Sequence, residues 1–363
     1  MVVRAPKRWM RKVIGWSLSF LAALGIGWLV VLGVEYDPYT AITSVSITSP
    51  SEGTIWCAGA QHTVGCSTAN DTDCNKDTGQ LEDDSVTHYW TCTGGSFANN
   101  DNIGTSVDYV CPATGGTKTL TVYADDNYAA DNNAALADET ATSASVNVIV
   151  FDLVEIAALG MFSINKTGIS VSATVTGGGN PISGVTVGFS SSDLTFPSGS
   201  TGVTNGSGVA TVTASTGSSP SSSQDSSSVT ATTQCDYPDV TDTEYFTVVK
   251  VNDPTPSDPK ILDGGFSVDS LYSVVLTYTV SPAISGVPVG FEFQNGGGQG
   301  SPRERNASLE SPDSSTNASG QATVRVRSSD MRETVTVKCT YQESYGSTGV
   351  TFEGITGCSG YDE

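Results

Sequence analysis

Histidine is the side chain that most often serves as a general base near neutral pH, and this chain contains only two, His62 and His88. A serine or cysteine nucleophile would need one of them as its base. His62 shares its alternation phase with Val64 and Cys66, which predicts packing on a strand. His88 stands two residues before Trp90 in a second alternating run, and the same prediction applies. The sequence contains no H-E-x-x-H, phosphate-loop or G-x-S-x-G motif, so we predict that the protein is not an enzyme.

Carboxylates are concentrated in three short stretches rich in turn residues. They could supply oxygen ligands to calcium, or the acid and base of a glycosidase. The best-spaced series runs from Asp125 to Asp131, but Ala129 stands where the third oxygen ligand is needed. We therefore expect solvated loop charge and no cofactor, with loop calcium as the weaker alternative. The three groups are Asp71, Asp73 and Asp77; Glu82, Asp83 and Asp84; and Asp125, Asp126 and Asp131.

Eight cysteines indicate an oxidising compartment, and the absence of any C-x-x-C pair disfavours zinc. Cys339 and Cys358 stand alone in the last third of the chain, so we expect them to pair and hold the C-terminal tail. Residues 41–150 hold an odd number of cysteines, and Cys235 is single in the middle of the chain. Either a bridge joins these two regions, or Cys235 is a buried strand thiol; the spacing leaves both interpretations open. The remaining cysteines are Cys57, Cys66, Cys74, Cys92 and Cys111.

An uncharged apolar segment, residues 13–34, follows five cations and precedes the first acids, Glu35 and Asp37. It is long enough to cross a membrane as a helix, and the basic flank predicts that the residues after it lie outside the cell. A cleaved signal peptide is the alternative. In both cases we expect a protein of the extracellular space or cell surface, anchored through residues 13–34 or secreted after cleavage.

The chain is strongly acidic, with a formal net charge of −22 from 16 basic and 38 acidic residues. Binding to nucleic acid needs clustered cations, so no nucleic-acid partner is expected. Beyond residue 40, short runs of alternating apolar and polar residues are separated by Gly, Ser, Asn, Asp and Pro. This pattern predicts an all-β protein of three tandem immunoglobulin-like β-sandwiches after an N-terminal transmembrane or signal helix.

An internal repeat marks the domain boundaries. The block Ile182-Ser-Gly-Val-Thr-Val-Gly-Phe189 returns at Ile284-Ser-Gly-Val-Pro-Val-Gly-Phe291, and Thr204-Asn-Gly-Ser-Gly-Val-Ala-Thr-Val212 returns at Thr316-Asn-Ala-Ser-Gly-Gln-Ala-Thr-Val324. Two blocks in the same order predict two homologous domains. The expected divisions are 1–35 (basic segment and apolar helix), 36–152 (cysteine-rich domain), 153–252 and 262–363 (the repeated domains), and 253–261 (a stiff proline-rich linker).

Both repeated domains resemble bacterial immunoglobulin-like domains of the invasin and intimin type, in which a T-[ND]-x-x-G-x-A block follows a G-V-x-V-x-F strand. The preceding domain is similar to PKD-like and related immunoglobulin-like domains, with Trp90 on a central strand. Its Cys66, Trp90 and Tyr109-Val110-Cys111 match the immunoglobulin arrangement, and this resemblance implies a Cys66–Cys111 disulfide. The resemblance of the two repeated domains implies an extracellular spacer or adhesion module.

These observations favour a non-enzymatic cell-surface protein whose tandem modules act as an adhesion stalk for a protein or glycan on another surface. The segment from Asn295 to Ser314 carries two rare cations, Arg303 and Arg305, and is a candidate binding loop, with solvated loop charge as the favoured interpretation of these cations. The alternative is a self-associating structural subunit of a cell-envelope layer or extracellular filament.

Overall fold

The computed structural model describes most of the chain beyond residue 43. Within the described residues the protein is all-β, as predicted, with 26 strands and one short 3-10 turn at Ala98–Asn100. None of the described helices is long and apolar enough to cross a membrane, and the predicted segment 13–34 lies outside the described residues. The described ranges are 44–68, 73–74, 81–82, 86–125, 142–235, 239–255, 272–294, 307–328 and 334–351.

Buried side chains form three hydrophobic clusters, and we call the parts of the chain around them the first, second and third units. In the first unit, one sheet has the order β1-β3-β8-β7 and faces a second sheet of order β2-β10-β9-β6. The strands are β1 (Val45–Ser49), β2 (Thr54–Cys57), β3 (Gln61–Thr68), β4 (Asp73–Cys74), β5 (Leu81–Glu82), β6 (Thr87–Cys92), β7 (Ser96–Phe97), β8 (Ser106–Val110), β9 (Gly116–Asp125) and β10 (Thr142–Phe151).

Trp90 is fully buried in the first unit, and its indole nitrogen donates to the carbonyl oxygen of Gly104 at 3.0 Å. It does not lie on a central strand, however, because β6 pairs only with β9 in its sheet and is therefore the edge strand. The ladder beyond β6 is limited to a single bridge between Tyr89 and Ile103. The predicted position of Trp90 on a central strand is therefore wrong, although its side chain is buried.

The second unit has the same two-layer construction. One sheet has the order β11-β13-β18-β16 with β14 paired to β13, and the other contains β17, β15 and β19. Strand β13 shows why the sequence folds in this way, since its Ile, Val and Ala side chains at every second position are buried between Ser and Thr. The strands are β11 (Leu153–Ile156), β12 (Met161–Ser163), β13 (Ile169–Gly177), β14 (Asn180–Pro181), β15 (Thr186–Ser191), β16 (Leu194–Thr195), β17 (Thr201–Val203), β18 (Val209–Thr216) and β19 (Ser227–Thr233).

One long strand, β20 (Val240–Thr255), belongs to both the second and the third units. It pairs with β19 through residues 240–246 and with the first strand of the third unit from Lys250 onward. The sheets of the third unit have the orders β20-β21-β24-β23 and β22-β25-β26. Its strands are β21 (Tyr272–Ser281), β22 (Gly290–Gln294), β23 (Ala307–Glu310), β24 (Gln321–Ser328), β25 (Thr334–Tyr341) and β26 (Ser344–Thr351).

Strand β20 includes Asp253–Thr255, the first residues of the segment predicted as a proline-rich linker. The register with β21 shifts between Asn252 and Thr255. Pro254 lies inside this shift, where its lack of an N–H leaves no donor for a regular ladder. The strand therefore continues into the start of the predicted linker, and the register shift accommodates the proline.

The repeated threonine fixes the same contact in both units. The hydroxyl oxygen of Thr204 accepts the amide proton of Val185 at 2.9 Å, and that of Thr316 accepts the amide proton of Val287 at 3.0 Å. All four residues are buried, so each hydroxyl satisfies an amide that water does not reach.

The repeated asparagine and glycine form the turn that follows. The side-chain oxygens of Asn205 and Asn317 each accept the amides two and four residues further on, at 2.9 to 3.1 Å. Gly208 and Gly320 have φ angles of 73° and 68°, and a Cβ on either would lie 2.7 Å from a neighbouring backbone atom. The sequence repeat thus preserves the residues that close one particular turn.

We expect Thr204→Val to destabilise the protein by about 1–3 kcal/mol, because the buried amide of Val185 loses its acceptor while the side chain keeps its shape. The matched control is Thr211→Val on the exposed face of β18, which should change the stability by less than about 0.5 kcal/mol. Urea unfolding followed by circular dichroism measures both. Equal stabilities of the two variants would contradict this role of Thr204.

Candidate functional site: two closed junctions and a surface cavity

A disulfide between Cys57 and Cys235 joins the first unit to the second, with a Cα–Cα distance of 5.9 Å. Of the two interpretations that the sequence left open for Cys235, the bridge is therefore confirmed. Phe151 at the end of β10 is also buried in the hydrophobic cluster of the second unit, together with Cys57 and Ala60. Side chains of the first unit thus complete the core of the second.

Asp152 stands between the last strand of the first unit and the first strand of the second. Its carboxylate accepts the amide of Gly115 at 2.7 Å and the amide of Gly178 at 3.2 Å, so it binds one loop from each unit. A Cβ on Gly115 would lie 2.5 Å from the Cα of Gly177, and one on Gly177 would collide with the carbonyl oxygen of Val150. The backbones therefore approach so closely that only glycine fits at this contact.

The second junction is formed by the interior of β20. Phe246 and Val248 are buried in the cluster of the second unit, whereas Val249 and Val251 are buried in the cluster of the third. Successive side chains of a strand point to opposite faces, so one strand supplies the even-numbered residues to one core and the odd-numbered residues to the next. Reorienting one unit against the other would expose at least one of these sets.

Polar contacts reinforce the second junction. The ammonium group of Lys166 in the second unit lies 2.9 Å from a carboxylate oxygen of Glu343 in the third. The amide of Ser163 also donates to the side-chain oxygen of Gln342 at 3.0 Å. The ion pair is half-exposed and contributes at most about 1 kcal/mol, so the shared strand, rather than this pair, dominates the junction.

An open cavity of about 530 Å³ lies on the surface of the second unit. It is lined by Leu159, from the connection between β11 and β12, by Asp225, from the turn before β19, and by Glu244 and Tyr245 of β20. Tyr245 keeps 58% of its surface exposed. Glu244 and Tyr245 are consecutive residues of β20, so their side chains point to opposite faces of the strand.

The two histidines have the packing positions that the sequence predicted. The ring of His62 stacks on that of Trp56, with centroids 4.3 Å apart and planes 9° from parallel. His88 is 4% exposed on β6, and burial lowers the pKa of its imidazole below the usual value. No group of three or more His, Cys, Asp or Glu side chains suited to a metal ion occurs among the described residues.

The implied bridge between Cys66 and Cys111 is wrong. The amide of Cys66 donates to the carbonyl of Thr105 at one end of the β3–β8 ladder, and the amide of Cys111 donates to the carbonyl of Ala60 at the other end. About six residues, or about 20 Å, of strand separate them, whereas disulfide Cα atoms lie within about 7 Å. Both cysteines are free buried thiols of one sheet, because the chain does not place them on facing sheets as the immunoglobulin pattern would.

Cys339 is also a free thiol, buried in the third unit opposite Phe291. Cys358 lies outside the described residues, as do Arg303 and Arg305 of the candidate binding loop. The side chains of the three predicted carboxylate groups are outside the described set as well.

The sequence did not predict the surface cavity, because the residues that line it are far apart along the chain.

The structure is similar to several solved immunoglobulin-like proteins. FdeC, an Escherichia coli adhesin, matches with 14% identity over 86% of this chain and 96% of the FdeC chain, at a TM-score of 0.34. The D00-D0 domain of intimin matches with 14% identity over 56% of this chain and 98% of its own, at a TM-score of 0.28. The titin fragment I67-I69 matches with 11% identity over 86% and 99%, at a TM-score of 0.28. No family model matches the sequence, and neither does any curated protein.

We expect the free buried thiols to resist alkylation in the folded protein. Burial raises the pKa of Cys66 to about 11 and the pKa values of Cys111 and Cys339 to about 12, so almost no thiolate is present at neutral pH. Iodoacetamide should label these cysteines only after unfolding, and Cys57 and Cys235 only after reduction. Peptide mapping by mass spectrometry measures each site, and rapid labelling of native Cys111 would contradict the assigned burial.

We expect the first unit to lose stability as the pH falls below about 6.5, because unfolded His88 binds a proton more readily than the buried side chain does. The contribution of His88 to the free energy of unfolding is fully present above that pH and decreases below it. His88→Leu should flatten the pH dependence between about pH 7 and about pH 5 relative to the wild type. Calorimetry across this range measures the effect, and an unchanged slope in the variant would refute it.

Proposed function

We propose that this protein is a non-enzymatic cell-surface adhesion stalk that presents binding surfaces to a protein or glycan on another surface. One observation carries the proposal: both described junctions are closed, the first by a disulfide and the second by a strand that enters two cores. Domains joined by flexible linkers reorient freely, whereas these contacts fix neighbouring units. A series of units in fixed orientation suits a stalk, because a stalk must hold its binding surface at a distance from the cell to which it is attached.

The composition supports export. A disulfide between distant cysteines persists in oxidising compartments, and a net charge of −22 keeps an exposed surface soluble. We further propose that residues 13–34 attach the chain to the membrane, and that Arg303 and Arg305, in the predicted loop from Asn295 to Ser314, contribute to a binding contact. Replacing both arginines by Glu should weaken adhesion if this loop participates.

We expect deletion of the gene in the native cells to reduce adherence, and the full-length chain to restore it. The informative variant is Cys57→Ser with Cys235→Ser and Asp152→Ala, which opens the first junction and should restore adherence only in part at equal surface abundance. Adherence is measured by counting attached cells, and abundance by surface labelling. The matched control is Asp101→Asn in the first unit, away from both junctions, which should restore adherence fully.

Electron microscopy of the same strains separates this proposal from the alternative of a structural subunit. Unchanged adherence in the deletion strain, together with loss of a surface layer or filament, would contradict the stalk and favour the subunit. Loss of adherence with an intact envelope is the result expected for a stalk.

A further inference from the structure

An asparagine followed two residues later by serine or threonine is the acceptor motif for N-linked glycans, and the chain contains several copies of it. Such triplets arise easily in a chain rich in serine and threonine, so the motif alone selects none of them. The structure describes the copies at Asn165, Asn205 and Asn317, and all three asparagines are exposed. They differ in what holds the side-chain amide.

The repeated turn fixes Asn205 and Asn317. The side-chain oxygen of each accepts two backbone amides, at 2.9 to 3.1 Å. A transferase must bind the acceptor triplet in its own active site, so it would have to open this turn. Each of the broken hydrogen bonds contributes about 0.5–1.5 kcal/mol. These two asparagines are therefore poor acceptors in the folded protein.

Asn165 has a different environment, in the turn between β12 and β13. Its backbone amide donates to the carbonyl oxygen of Gly217 at 2.8 Å, which anchors the main chain. Asn165 and Gly168 have φ angles of 58° and 70°, which both residues tolerate in a tight turn. The side-chain amide of Asn165 forms no hydrogen bond with the described residues, and neither does the hydroxyl of Thr167, which is also exposed. Both groups of the acceptor motif are therefore free and reach solvent.

We propose that Asn165 carries an N-linked glycan. The donor is a lipid-linked oligosaccharide, and Nδ2 of Asn165 forms a bond to the anomeric carbon of its first sugar. The bond from that carbon to the lipid diphosphate breaks, the diphosphate leaves with the bonding electrons, and the amide nitrogen gives one proton to a base of the transferase. The transfer requires no oxidant or reductant.

The position of Asn165 gives this glycan a structural consequence. The next residue, Lys166, pairs with Glu343 of the third unit at 2.9 Å, so the glycan would be attached at the edge of the second junction. A bulky, hydrated group at that edge restricts the access of other proteins to the junction. The proposal rests on the export included in the proposed function, because the donor is presented outside the cytoplasm.

The test uses the full-length chain purified from its native cells. Peptides from two proteases of different specificity are mapped by mass spectrometry, and glycan occupancy is measured separately at Asn165, Asn205 and Asn317. We expect a glycan on Asn165 in most chains. Occupancy of the other two asparagines should be at least about tenfold lower, because two hydrogen bonds must break before either can react.

Variants expressed in the same cells assign the modification to the motif. Asn165→Gln should remove the glycan, and so should Thr167→Ala, although the asparagine is unchanged in the latter. Thr167→Ser should retain the glycan, because serine keeps the hydroxyl. Lys166→Gln is the matched control, since it changes the middle residue and leaves both acceptor groups in place. Surface labelling verifies that all variants are exported in equal amounts.

Three results would overturn the proposal: an unmodified Asn165 in chains that surface labelling finds outside the cell, equal occupancy of all three asparagines, and a glycan attached to the hydroxyl of Thr167 instead. None of them bears on adherence, so the stalk stands if deletion still reduces adherence. A glycan on Asn165 together with unchanged adherence in the deletion strain would eliminate the stalk and retain the modification. Chains found only inside the cell would contradict both.

Discussion

The alternation of side chains along β20 is the constraint on which the arrangement of the second and third units depends. A strand must place successive side chains on opposite faces, and here both faces of one strand are buried, Val248 in one core and Val249 in the next. Burying a valine contributes about 1.5–3 kcal/mol, so the cores and the junction are stabilised by the same residues. The orientation of the two units is therefore a consequence of folding them and needs no separate interface.

The first junction reaches a similar result by different means. Here the chain changes from β10 to β11 without a shared strand, and the contact depends on glycines at positions 115 and 177, on the carboxylate of Asp152, and on one disulfide. The carboxylate of Asp152 accepts an amide proton from one loop of each unit, and these two hydrogen bonds align the loops with each other. The disulfide then limits how far the units can separate when these weaker contacts open.

The sequence predicted the elements well wherever the physical cause is local. Alternation gave the strands, and the repeated Thr-Asn-x-Ser-Gly block gave the turn that Thr204 and Asn205 close. The prediction for Cys66 and Cys111 failed because a disulfide depends on which strands are neighbours, and spacing along the chain does not specify this. Strand β20 likewise continues into Pro254, because pairing with β21 compensates for a residue that locally favours a linker. The bridge to Cys235 was one of two interpretations that the odd counts left open, and only the structure distinguishes them.

The cavity beside Tyr245 could not be predicted for a related reason. It forms where the chain leaves one sheet of the second unit at Ile156 and joins the other at Met161. Leu159 belongs to this connection and lines the cavity. Residues 243–246 of β20 pair with β19 on one side, while β12 begins to pair only at Thr247. The crossing of the chain between sheets thus leaves a short edge of β20 without a strand partner among the described residues, and Glu244 and Tyr245 lie on it. An immunoglobulin-like sandwich must switch sheets somewhere, and the chemistry of the side chains at the switch decides whether the gap is inert or can hold a ligand.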